Sequence, residues 1–88
     1  MSDLGNSRHR IDQVDKQIVQ LLAQRFSLVK EVKSIKQATN YPFKDEDRWQ
    51  QIKNQLDLLA KQNDLDSDGI RAIFDQIHKY ALRYIYEV

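Results

Sequence analysis

The sequence predicts an all-α chain of three helices, one long and two of medium length. Apolar residues recur at gaps of mostly three or four from Ile11 to Ile35, with no Gly or Pro between them. That is the spacing of one helix face. Two later runs, Trp49 to Ala60 and Ile70 to Ile85, follow the same rule. The period-two alternation of a half-buried strand is absent throughout.

Residues 1–6 read as a flexible lead-in. Asn6 or Ser7 has the short polar side chain that caps a helix start, so the first helix is expected over about 7–38. Its stripe is Ile11, Val14, Ile18, Leu21, Leu22, Leu28, Val29, Val32 and Ile35. Asp12 and Asp15 stand early and Lys30, Lys33 and Lys36 late, the order the helix dipole favours. From Ile11 to Lys36 alone the helix runs roughly 40 Å at about 1.5 Å per residue. A chain of 88 residues buries only a modest share of its surface, so so long a striped helix asks for a partner chain to complete its core.

Asn40, Tyr41 and Pro42 form the strongest breaker, because the residue before Pro is pushed out of the α region. Asp45 is then an N-cap for a second helix at about 46–62, with Trp49, Ile52, Leu56, Leu59 and Ala60 as its stripe. Asn63 to Ser67 form the next connection, and Asp66 or Ser67 caps a third helix at about 67–86. Its stripe is Ile70, Ile73, Phe74, Ile77, Ala81 and Ile85, with Leu82 alongside and His78 on or beside it. A lone His in such a place is ordinarily structural. Tyr80, Tyr84 and Tyr86 are expected to cover the helix edge or an interface. The whole, residues 1–88, reads as a single domain.

Composition narrows the function classes. Cysteine is absent, which removes disulfides and thiolate metal or redox sites. Fourteen basic and thirteen acidic residues, evenly spread, leave a net charge of +1; a nucleic-acid or membrane module would show a basic surplus. The first ten residues hold no apolar run, so no secretory signal is expected and the cytoplasm is the expected location. There is no glycine-rich phosphate loop, no HExxH, no CxxC and no EF-hand loop, and no metal is expected.

What remains is a set of cations. Arg25 interrupts the apolar stripe of the first helix. Lys36 lies eleven residues on, and eleven steps of about 100° return to the same face within about 20°. Such inward cations either snorkel and pair with carboxylates, or they line a buried anion site. Arg8 is seventeen residues before Arg25, about 100° round the helix and about 25 Å away. If functional, it serves a site centred on another chain. Arg48, with Asp45 three residues before it, completes the set. Arginines suit bidentate recognition of carboxylates. No general base accompanies them, so a reaction needing only orientation and electrostatic stabilisation fits.

Ile11-Asp12-x-x-Asp15, Leu21-Leu22-Ala23-x-Arg25, Val29-x-x-Val32-x-x-x-Lys36 and Asp45-x-x-Arg48 together resemble the all-helical, type II chorismate mutases of the AroQ class. The likeness runs without a gap from about Arg8 to Phe74. It implies an intertwined homodimer of three-helix chains whose long first helices pair, with active sites shared between chains. It implies the rearrangement of chorismate, a small dicarboxylate, to prephenate in aromatic amino acid biosynthesis, a pericyclic step with no cofactor. By position, Arg25 binds one substrate carboxylate and Arg8 of the partner subunit the other. Lys36 hydrogen-bonds the ether oxygen, and Asp45 and Arg48 complete the polar wall near the ring hydroxyl. Val32, Trp49, His78, Ala81, Leu82 and Ile85 are candidate pocket walls.

The sequence departs from this family pattern at three places. Trp49 stands where well-studied members carry Glu, and Ala81 and Ile85 where they carry Ser and Gln. The Gln shares the ether oxygen with the lysine, so Ile85 implies one preorganised donor fewer. Two other activities are compatible with the same scaffold: an isochorismate pyruvate lyase or an aminodeoxychorismate mutase. A non-catalytic relic used for dimerisation or effector binding is a third.

Overall fold

A computed structural model describes residues 3–42 and 46–87. Among them the backbone forms α1 (Asp3–Thr39), α2 (Glu46–Gln62) and α3 (Ser67–Ala81), and α3 runs on into a π-helical turn at Leu82–Tyr86. Helix α1 starts at Asp3, earlier than the Asn6–Ser7 cap suggests. Nothing between Leu4 and Ser7 stops a helix once it is nucleated, and the single Gly5 costs only about 1 kcal/mol. The expected cap of α2, Asp45, lies outside the described residues, as do Met1 and Ser2 of the expected lead-in.

Helices α1 and α2 end in the same way. Asn40 takes φ 55° and Asp64 φ 56°, the left-handed conformation that closes a helix. After α2, the Leu65 amide donates to the Ala60 carbonyl at 2.8 Å and the Asp64 amide to the Lys61 carbonyl at 3.3 Å. This is the paired bonding that satisfies the last carbonyls. After α1, the Tyr41 amide donates to the Lys36 carbonyl at 2.9 Å. The chain therefore folds back at Asn40 and brings Tyr41 beside Lys36. Helix α3 opens on Asp66, whose carboxylate accepts from the Gly69 amide at 2.8 Å. That bond satisfies an amide with no intrahelical partner.

Helices α2 and α3 pack together, and α1 meets the π turn. An Arg71–Asp57 bridge clamps α3 to α2, with the Arg71 Nε donating at 2.7 Å and Nη2 to the second oxygen. Against α1, the Phe26 ring stacks on Tyr80 at 4.3 Å and Tyr80 tilts on Tyr84 at 4.6 Å. Among the described residues only Leu56, Ala60, Ala81 and Ile85 are buried apolar residues, and none of them is on α1. Ile73 and Leu59, expected in the stripes of α3 and α2, are 56% and 45% exposed.

The shape follows from α1. Its 37 residues at about 1.5 Å each span the 56 Å long axis of the molecule. The radius of gyration is 16.4 Å, against roughly 12 Å for a compact chain of this length. Ile11, Val14, Ile18, Leu21, Leu28, Val32 and Ile35 are all between 45% and 60% exposed. Exposed apolar stripes of this length mark interaction surfaces. No helix among the described residues is long and apolar enough to cross a membrane.

Candidate active site

A cleft of about 340 Å³ opens where the C-terminal half of α1, the start of α2 and the end of α3 converge. It is lined by Arg25, Leu28, Val29, Val32 and Lys36 from α1, by Arg48, Trp49 and Ile52 from α2, and by His78, Ala81, Leu82 and Tyr86 from α3 and the π turn. Three of these side chains are cationic and none is a carboxylate.

The helical repeat explains the grouping. Arg25 and Lys36 share a face of α1 three turns apart, and Val29 and Val32 fall between them as an apolar floor. Among the described residues no carboxylate pairs with Arg25; its guanidinium lies 6.0 Å over the Phe74 ring. Burial, and then the like charge of Arg48, hold it below the usual arginine value. A cation disfavoured by its own protein is one that an incoming anion relieves. The Lys36 ammonium sits 5.8 Å from the Tyr41 ring and 5.8 Å from the Tyr86 ring, within cation–π range of both.

Trp49 and His78 form the opposite wall, stacked at 4.3 Å and 16°. His78 is held below the usual histidine value, first by burial and second by Arg25. It therefore stays neutral at pH 7 and adds no fourth positive charge. The sequence pointed to a structural histidine; the cleft uses the ring as a stacked, neutral surface.

Of the candidate residues, Arg25, Lys36, Arg48, Val32, Trp49, His78, Ala81 and Leu82 come together in the cleft. Arg8 does not: it is exposed near the other end of α1, about 25 Å along the helix from Arg25. Asp45 lies outside the described residues. Ile85 is a correction. It is 5% exposed and packs into the core rather than lining the cleft. The cause is the π turn, whose hydrogen bonds close one residue later than those of an α-helix and so rotate the residues that follow. After Ala81 and Leu82, the residue that comes round to the cleft is Tyr86 in place of Ile85.

Leu28, Val29, Ile52 and Tyr86 are lining residues that sequence reasoning had not placed at the site. The first three could have been found by completing the helical faces of Arg25, Lys36 and Arg48. Tyr86 could not, since its place depends on the π turn.

Residues 7–86 match the family described as Chorismate mutase type II. The chain is 35% identical over 86 residues to a chorismate mutase of Methanocaldococcus jannaschii, covering 94% of this chain and 86% of that protein. It is 37% identical over 76 residues to a bifunctional chorismate mutase/prephenate dehydratase of Buchnera aphidicola, covering 86% of this chain. A protein of the same description from Enterobacter agglomerans is 36% identical over 70 residues, or 80% of this chain. The chain spans about a fifth of the length of the two bifunctional relatives, 20% and 18%.

Proposed function

The chain belongs to the chorismate mutase type II family, and from that membership we propose that it rearranges chorismate to prephenate as a cytoplasmic homodimer of single-domain subunits. One observation carries the reading: a cleft lined, among the described residues, by three cations, no carboxylate and an apolar floor, on the face of a helix whose own stripe is left uncovered. That lining suits a compact dicarboxylate with an apolar ring.

The reaction is unimolecular: one C–O bond breaks as one C–C bond forms, and no proton moves. The protein needs to hold the folded conformer and to stabilise charge that grows on the ether oxygen. Arg25 takes one carboxylate through its two-pronged guanidinium. Arg8 of the partner subunit takes the other, because pairing of two α1 stripes in opposite directions brings the start of one helix to the middle of its neighbour. Lys36 donates to the ether oxygen, and Arg48 faces the ring hydroxyl. Removing one such preorganised donor costs about 3–4 kcal/mol in enzymes where it has been done, so loss of Lys36 is expected to slow the reaction by roughly 10²–10³-fold.

The test is direct. Purified protein mixed with chorismate is followed by loss of chorismate ultraviolet absorbance. Consumption well above the uncatalysed rate, with prephenate as product, is expected. Loss at the uncatalysed rate refutes the activity, and salicylate fluorescence from isochorismate would move the assignment to a lyase on the same scaffold.

A further inference from the structure

Beyond this assignment, and resting on it, we propose that the Tyr86 hydroxyl is a catalytic hydrogen-bond donor that, with Lys36, binds the oxygen at which the scissile C–O bond breaks. Tyr86 lines the cleft, and its ring stands 5.8 Å from the Lys36 ammonium. A phenol presents an O–H donor without adding charge. Three cations already line this cleft, so a neutral donor strengthens the hold on a growing negative charge without further repulsion among them.

The backbone is built to put Tyr86 there. The Leu82 amide is shared between the His78 and Lys79 carbonyls, and the Glu87 amide then reaches back five residues to the Leu82 carbonyl at 3.0 Å. This widened turn sends Ile85 into the core and brings Tyr86 round to the cleft. The Ile85 carbonyl accepts from the Lys33 ammonium of α1 at 2.7 Å. Lys33 thus pins the widened turn to the helix that carries Lys36, and it is a positioning residue for Tyr86. Single π turns inside helices are frequent at functional sites. Burial pushes the Tyr86 phenol up, which keeps the proton on the oxygen that must donate it.

Tyr86→Phe keeps the ring and removes only the donor. The expected result is a fall in kcat of at least about tenfold, with KM and Tm close to those of the unaltered chain. Tyr84→Phe, altering an exposed neighbour, leaves kcat unchanged. A kcat loss in Tyr86→Phe smaller than about tenfold overturns the proposal. Lys33→Met should lower kcat in the unaltered background and have little further effect on Tyr86→Phe, because both act through one hydroxyl; full additivity overturns the positioning role. A second readout does not depend on turnover: calorimetric binding of a bicyclic ether dicarboxylate that mimics the transition state. Tyr86→Phe should weaken its Kd by about tenfold. Equal affinity in the two proteins refutes the Tyr86 donor while leaving the site assignment standing, whereas no binding by the unaltered chain refutes both.

Discussion

Replacing Arg25 by Met separates what this side chain does for catalysis from what it does for folding. Methionine keeps the length and the apolar stem and can stay against the Phe74 ring, over which the guanidinium now lies at 6.0 Å. A bidentate guanidinium–carboxylate contact comprises two charge-assisted hydrogen bonds of about 1.5–3 kcal/mol each. Their loss from the transition state is about 3–6 kcal/mol, or roughly 10²–10⁴-fold in kcat/KM. Stability should move the other way. The folded chain disfavours the Arg25 charge through burial and through Arg48, and among the described residues no carboxylate offsets it. The side chain is half-buried and partly screened by solvent, so relief of this penalty is at most on the order of 0.5 kcal/mol, or roughly 2–4 °C in Tm. The assays are chorismate turnover and thermal unfolding followed by circular dichroism, with dimerisation checked by sedimentation. An Arg25→Met protein with kcat/KM within about tenfold of the unaltered chain refutes the carboxylate contact. A fall in Tm would show that the guanidinium serves the fold instead of the ligand.

Three further outcomes are expected. Mixing inactive Arg8→Ala with inactive Arg25→Ala should restore part of the activity as dimers exchange, since one of the two sites is then intact; exchange without recovery, seen by mass spectrometry, rules out a shared site. Leu21→Asp, on an α1 residue 60% exposed in the single chain, should give a monomer of reduced helicity by sedimentation and circular dichroism, because the charge would be buried without a partner; a normal dimer would place the interface elsewhere. His78 titrates lower in the folded chain than its ordinary 6.5, so the unfolded chain binds a proton first as pH drops. Stability is therefore full above 6.5 and declines as pH falls from there through the folded value. Tm measured from pH 7.5 to 5 should show this slope, and His78→Gln should flatten it; an unchanged slope assigns the effect to another group.

Much of this molecule is determined by short-range rules. The gaps of three and four, Asn40 and Asp64 as left-handed terminators and the Asp66 cap settle three helices and their connections from residues a few places apart. The grouping of Arg25 with Lys36 follows from the 3.6-residue repeat alone, whereas their convergence with Arg48 in one cleft depends on where the packed α2–α3 pair meets α1. The long uncovered stripe was legible too, as a surface too apolar for the single chain to leave in water.

Tertiary structure decided which residues complete the cleft. By the regular repeat, Ile85 belongs there; the π turn, held by the Lys33 ammonium on the Ile85 carbonyl 52 residues away, exchanges it for Tyr86. No local propensity marks that exchange, and the Ile85 carbonyl is met there by a side chain from a distant part of the chain. His78 likewise became a neutral stacked wall only when Trp49 and Arg25 met it. Periodicity is a property of neighbours in sequence and can be read from it; a widened turn and a shifted proton affinity depend on what packs against them from elsewhere, and so become visible only once the helices are in place.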